Sequence, residues 1–136
     1  MKKESLIKSI AIFTFLFAMG FFTQAQTSFS CTTRTTCLLD EYGEIDNCSE
    51  KSESSLFVFN EAVTMITHTT ESNKTVYYIN DNEYDEEDNS FTFDVTSENG
   101  NDYTFYVFPD DNYIAAHFVD KDDNTWVIVF KIKKIF

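Results

Sequence analysis

Residues 90–108 read S-F-T-F-D-V-T-S-E-N-G-N-D-Y-T-F-Y-V-F, two alternating runs on either side of Asn99-Gly100. Asn-Gly tolerates positive φ at both centres of a type I′ turn, so this pattern is the strongest short-range signal for a β-hairpin. A two-residue turn there predicts Glu98 opposite Asn101, Val95 opposite Thr104, Phe93 opposite Tyr106 and Phe91 opposite Phe108. Because side chains alternate between faces, one register fixes the parity of every strand added to the pair.

Two more turns carry that parity to the C-terminus. Pro109-Asp110-Asp111-Asn112 places Pro where a turn favours it and predicts Phe108 opposite Tyr113, Tyr106 opposite Ala115 and Thr104 opposite His117. Lys121-Asp122-Asp123-Asn124 predicts Val119 opposite Trp126, His117 opposite Ile128 and Ala115 opposite Phe130. The expected core face is then Phe91, Phe93, Val95, Tyr106, Phe108, Ala115, Val119, Trp126, Ile128, Phe130 and Ile132. The other face begins polar with Thr92, Asp94 and Thr96 and ends in Lys131 and Lys133. Its middle holds Tyr103, Phe105, Val107, Ile114 and Phe118. Large exposed apolar patches are uncommon on monomers, so those five residues are expected to be covered or to form a ligand or partner face.

The first 25 residues belong to targeting rather than to the fold. Lys2, Lys3 and Lys8 precede an apolar run, Ile10 to Phe22, and Thr23-Gln24-Ala25 offers small residues at −3 and −1 of a cleavage site. The run falls short of the roughly 20 residues of a membrane span, so a signal peptide over 1–25 is expected, with no permanent transmembrane helix. Residues 26–136 form one β domain, with an N-terminal hairpin and linker over 26–54 and the main sheet over 55–136. Without Lys2, Lys3, Lys8 and Glu4, the 10 basic and 23 acidic residues become 7 and 22, a net charge of about −15. That balance excludes a nucleic-acid footprint, which needs a basic stripe. It does not signal disorder, because the chain carries 15 Phe and 7 Tyr.

From Phe29 to Leu39 the sequence is Thr-rich without helical period, which predicts a strand. A turn at Tyr42-Gly43 puts Cys37 directly opposite Cys48, within the span a disulfide bridges. An oxidising compartment would preserve that bond. Cys31 is left over, either to pair between chains or to sit buried and inert. Residues 49–55 read as a Ser/Glu linker. Leu56 to Asn60, Ala62 to Thr70 and Thr75 to Asn80 read as strands, and the acidic run from Asp81 to Asn89 as loop.

No catalytic residue stands out. His68 and His117 lie mid-strand and far apart, without zinc spacing, and His117 falls on the expected core face. Asp81-x-Glu83-x-Asp85 and Asp120-x-Asp122-x-Asn124 alternate oxygen ligands as a calcium loop does. Neither carries the Gly at position 6 or the Glu at position 12, so solvated turns are expected and no metal or other cofactor.

The signal segment ending F-F-T-Q-A-Q, the Thr-rich short strands with acidic turns and the terminal strand K-I-K-K-I-F resemble the small exported β-rich proteins of Bacteroidota-type bacteria. That resemblance implies an envelope or secreted location and carries neither an activity nor a functional residue. The expectation is an all-β antiparallel meander of about eight strands, as a sandwich or partly open barrel. Its expected function is that of an exported, non-enzymatic binding or interaction module whose partner is a protein, a glycan or an apolar small molecule. The second reading is a small apolar-ligand carrier of the up-and-down barrel type, and the third a hydrolase using carboxylates.

Overall fold

The computed structural model describes residues 26–136; the expected signal segment lies outside them. Eight strands follow one another as a meander: β1 (Thr27–Leu39), β2 (Ile45–Phe59), β3 (Met65–Thr70), β4 (Lys74–Asp85), β5 (Ser90–Ser97), β6 (Asp102–Phe108), β7 (Tyr113–Val119) and β8 (Thr125–Ile135). Each pairs antiparallel with the next, and β1 returns to pair with β8, so the expected meander closes into a barrel. Reciprocal backbone bonds between Ser28 and Phe136 complete that seam. A single sheet curled on itself in this way buries one face and wets the other. No helix among the described residues is long and apolar enough to cross a membrane.

The expected Asn99-Gly100 register is off by one residue. Phe93 pairs with Phe105 and Val95 with Tyr103, because the loop has three residues, Glu98-Asn99-Gly100. Ser97 N–H donates to the Asn101 carbonyl (2.8 Å), Gly100 N–H donates to the Ser97 carbonyl (2.8 Å), and Gly100 alone takes the left-handed conformation, φ 87°. This is a type I turn closed by a left-handed residue. The turn at 120–124 is built alike. Asp123 holds φ 65°, and Phe118, not Val119, faces Trp126. The turn between β6 and β7 does have the expected register, Phe108 opposite Tyr113.

Two one-residue shifts cancel across β6 and β7. Phe91, Phe93, Val95, Ile128, Phe130 and Ile132 are therefore buried as expected, while β6 and β7 are turned over. Phe105, Val107, Ile114 and Ala116 fill the interior, with Phe118 and Tyr103 packed against it. Tyr106, Phe108, Ala115, His117 and Val119 sit on the outward-facing positions, where Phe108 stacks on Tyr113 at 4.6 Å.

Cys37 and Cys48 face each other and are bonded, with Cα atoms 4.1 Å apart. The pairing is as expected although the turn is not. The loop is again three residues, Glu41-Tyr42-Gly43, and a register shift between Leu38 and Leu39 restores the offset before Cys37 is reached. Residues 49–55, expected as linker, are strand. From Ile45 to Glu50 β2 is exposed throughout, so no apolar alternation marks it. Likewise 81–85 belong to β4; a register shift between Ile79 and Asp81 moves Tyr84 inward, where it packs on Phe91 at 4.9 Å. The second segment expected as strand, 62–70, begins only at Met65. Asn60 to Thr64 form a turn in which Asn60 Oδ1 accepts from Thr64 and Met65 N–H groups.

One half of the barrel is filled. Phe29 meets Phe59 edge-on at 5.5 Å, Phe59 meets Phe93 at 5.0 Å, and Cys31, Ile66, Val107, Ile114 and Ile132 complete the packing. Each fully buried side chain of this size contributes roughly 1.5–3 kcal/mol relative to exposure. Burial raises the Cys31 thiol to about 12; Ser55, paired across from it, offsets part of that shift although its Oγ meets no hydrogen-bond geometry.

Candidate functional site

The other half of the barrel is not filled. Reading inward positions from the filled end to the opposite mouth, β1 passes from Phe29 and Cys31 to Arg34, β2 from Phe59 and Phe57 through Ser55 to Glu53 and Lys51, and β3 from Ile66 to His68 and Thr70. A register shift between Cys31 and Thr33 brings Arg34 onto the inward parity, paired beside Phe130 on β8. The mouth is also open on one side. β2 last pairs with β3 at Ser55, so residues 45–54 continue beside β1 alone, with Cys37–Cys48 stapling the projecting arm.

The result is a cavity of about 360 Å³. An eight-stranded barrel is just wide enough to be filled by side chains or to hold one small ligand, and this volume is near the lower end of the roughly 300–1,000 Å³ of small-molecule sites. Its floor is aromatic: Phe57, Phe105, Phe130 and Tyr77 line it, with Phe57 edge-on to Phe130 at 4.9 Å and Tyr77 tilted on Phe105 at 4.9 Å. Tyr103 and Phe118, 5.1 Å apart, form one side of the wall. Thr70, Ser72, Asn73 and Thr75 form the polar lip.

Three charges stand at the mouth. Arg34, the only arginine in the chain, has Nη1 3.5 Å from Glu53 Oε1, and its guanidinium lies 5.8 Å from the Phe130 ring centre. Lys51 Nζ is 3.4 Å from Glu53 Oε2. Glu53 Oε1 is buried at ion-pair distance from Arg34 but makes no hydrogen bond, so the carboxylate is placed by charge rather than by a directional bond.

His68 is the most informative group. It is only 9% exposed and stacks flat on Phe57, centroids 4.0 Å apart and planes 3° apart, with its edge to Phe130 at 5.1 Å. Its Nε2 is buried without a hydrogen-bond partner. Unpaired buried polar atoms are uncommon because each forfeits its hydration. Burial first, and then the neighbouring Arg34 charge, lower the imidazole to about 4, with Glu53 opposing, so the ring is neutral at physiological pH. Burial raises the Tyr77 hydroxyl to about 12, keeping it a proton donor.

Of the five residues expected as a ligand or partner face, Tyr103, Phe105 and Phe118 line this cavity, while Val107 and Ile114 lie in the filled half. Arg34, Glu53 and His68 were not singled out together by the sequence; a lone arginine among Thr residues at an inward position is the signal that points to them. His117, expected in the core, is on the outer face opposite Thr104. Asp81, Glu83 and Asp85 share one face of β4, but Asp81 Oδ1 accepts from Asn82 N–H and Asp85 Oδ1 from Glu87 N–H, so these oxygens are engaged by their own backbone. Asp120 is occupied as a turn cap: Oδ1 accepts from Asp122 and Asn124 N–H groups and Oδ2 from the Trp126 indole.

A wider outer groove of about 910 Å³ runs along Asp94, Asp102, Thr104, His117 and Asp120. Thr96 donates to Asp102 and Thr104 to Asp94, so these carboxylates already hold the strands together. No cluster of three or more metal-ligating side chains occurs among the described residues. The cavity lining itself carries one carboxylate, Glu53, which does not assemble the two-carboxylate machinery of glycoside hydrolysis. No protein-family model, curated protein or solved structure matches this chain.

Proposed function

We propose that the protein is an exported, non-enzymatic binding barrel that takes one small molecule into the half-filled interior. The observation that carries this reading is the His68 Nε2, buried and without a partner, in the wall of a 360 Å³ cavity. A purely structural core would be more stable with an apolar side chain at that position, since an unsatisfied buried polar atom costs on the order of 1–3 kcal/mol. Further support comes from the inward direction of Tyr103, Phe105 and Phe118, which leaves the interior as the place where their aromatic surface meets a ligand. The polar lip and charged mouth favour an amphipathic guest over a wholly apolar one. Export is supported by the apolar N-terminal run and by the disulfide.

The test is amide chemical-shift mapping of the purified, isotope-labelled protein with phenol, indole and benzyl alcohol as neutral probes. Shifts are expected to concentrate at Arg34, His68, Tyr77, Tyr103 and Ile128. Ala116, buried in the cavity wall, is the residue to enlarge, and Ala116→Leu is expected to abolish them with the barrel intact. Shifts spread over the outer strands, or unchanged by Ala116→Leu, would rule out the cavity.

A further inference from the structure

We infer that the cavity selects a small aromatic or arylalkyl carboxylate, with Arg34 as the anchor for the carboxylate and the Phe57, Phe105 and Phe130 rings as the bed for the apolar part. This rests on the cavity-binding reading above and specifies the chemistry of the guest.

The charges in the site run against those of the molecule. The exported chain has a net charge of about −15, yet the cavity holds Arg34, Lys51 and a single acid, Glu53, a local excess of one positive charge. One Glu53 carboxylate is shared between two cations, at 3.5 and 3.4 Å. A second carboxylate would complete two pairs where one anion now serves both.

Arg34 also has unused directional capacity. A guanidinium presents five donors in a planar fork suited to a carboxylate, and the Glu53 approach uses none of them as a hydrogen bond. With its side chain 34% exposed, Arg34 stands between aqueous mouth and aromatic floor, where an incoming carboxylate can exchange water for the fork. Neutral His68 at the wall and protonated Tyr77 supply further donors without adding a negative charge to repel the guest. Below them the floor is ring surface packed edge-on, which receives an aromatic guest in tilted or edge-to-face contact.

A cation is the guest that the overall acidity would attract by long-range steering. Inside the cavity it would meet Arg34 and Lys51 before the already shared Glu53. A neutral guest would leave the Arg34 fork unpaired. The carboxylate is the one class that uses the fork, the excess charge and the aromatic floor together.

The experiment compares three probes of one shape, 3-phenylpropionate, 3-phenylpropanamide and 3-phenylpropylamine, titrated into the wild-type protein at neutral pH and low salt. The carboxylate is expected to bind at least tenfold more tightly than the amide, with the amine weakest. Arg34→Gln is expected to remove the carboxylate's preference over the amide. Glu53→Gln, which frees both cations and keeps side-chain volume, is expected to strengthen the carboxylate and gives an independent reading should Arg34→Gln fold poorly. Equal binding of amide and carboxylate, both blocked by Ala116→Leu, would overturn the carboxylate inference and leave the cavity reading standing. Tightest binding by the amine would overturn it in favour of Glu53 as anchor. Binding by none of the three would overturn both.

Discussion

Replacing His68 removes an acid-labile element of the barrel, and the size of the effect follows from its environment. The imidazole lies at about 4 in the folded protein against an ordinary value of 6.5, because it is buried against Phe57 and Phe130 with the Arg34 charge nearby. The lowered value fixes the sign: the folded state binds the proton less readily than the unfolded chain, so stability is complete above about pH 6.5 and is lost as pH falls toward 4. At pH 4 the unfolded imidazole is almost fully protonated and the folded one about half, a loss of about 3 kcal/mol. That is a large share of the roughly 5–15 kcal/mol that holds a domain of this size together.

The acidic surface also titrates in this range, so the measurement must be differential. Urea unfolding of wild type and His68→Phe, followed by Trp126 fluorescence and far-ultraviolet circular dichroism at pH 7.5 and 4.0, cancels the carboxylates common to both. The phenyl ring keeps the stack on Phe57 and cannot be protonated. Wild type is expected to lose about 3 kcal/mol more than His68→Phe over that interval. His68→Gln, with no titrating ring either, should match His68→Phe in slope even if its absolute stability is lower. Parallel losses in all three proteins would refute the reasoning, because they would mean that the imidazolium is accommodated inside the barrel, with Glu53 the only carboxylate placed in the cavity wall to receive it.

Three further outcomes are expected. Replacing both Cys37 and Cys48 by Ala opens a loop of sequence separation 11 and should lower stability by at most about 3 kcal/mol, with limited proteolysis cutting first in the projecting arm over 45–52; cuts appearing first in β5 or β6 would contradict this. Gly100→Ala should cost about 1 kcal/mol from its left-handed φ alone, since nothing lies within 4 Å of the added Cβ, whereas Asp123→Gly should be neutral or stabilising; denaturation midpoints check both. Cys31 should resist iodoacetamide at pH 8.5 in the native state and react only after unfolding, because it is 1% exposed with its thiol raised to about 12; rapid native-state labelling read by mass spectrometry would refute its burial.

Strand rhythm was legible in the sequence because β5 to β8 alternate strongly, while the expected Cys37–Cys48 pair is met because the register shift between Leu38 and Leu39 offsets the longer turn. Turn length was not. Asn99-Gly100 suits a two-residue turn with both residues left-handed, but it equally suits a three-residue loop in which only the glycine is. The residue that decides lies earlier: Ser97 Oγ accepts from Asn101 N–H, as Asp40 Oδ1 accepts from Glu44 and Asp120 Oδ1 from Asn124. A capping oxygen three residues before the left-handed Gly43, Gly100 and Asp123 recurs in all three loops. That spacing was present in the sequence and would have turned β6 and β7 the right way round.

The cavity was hidden for a different reason. Arg34, Glu53 and His68 sit on three successive strands, and their convergence depends on the β1–β2 and β2–β3 registers and on the register shift after Cys31, none of which local sequence specifies. Once the barrel is closed, the sequence accounts for the empty space. On β1, β2 and β3 the inward positions change from Phe29, Phe59 and Ile66 to Arg34, Glu53 and His68 as the mouth is approached. The aromatic rings behind them are retained, so one end is filled by buried side chains while the other keeps a ring-lined chamber under charge. A barrel selected only for stability gains from an apolar side chain at the His68 position, because a buried polar atom without a partner costs stability. The chain instead keeps polar groups there on three adjacent strands, its only arginine among them.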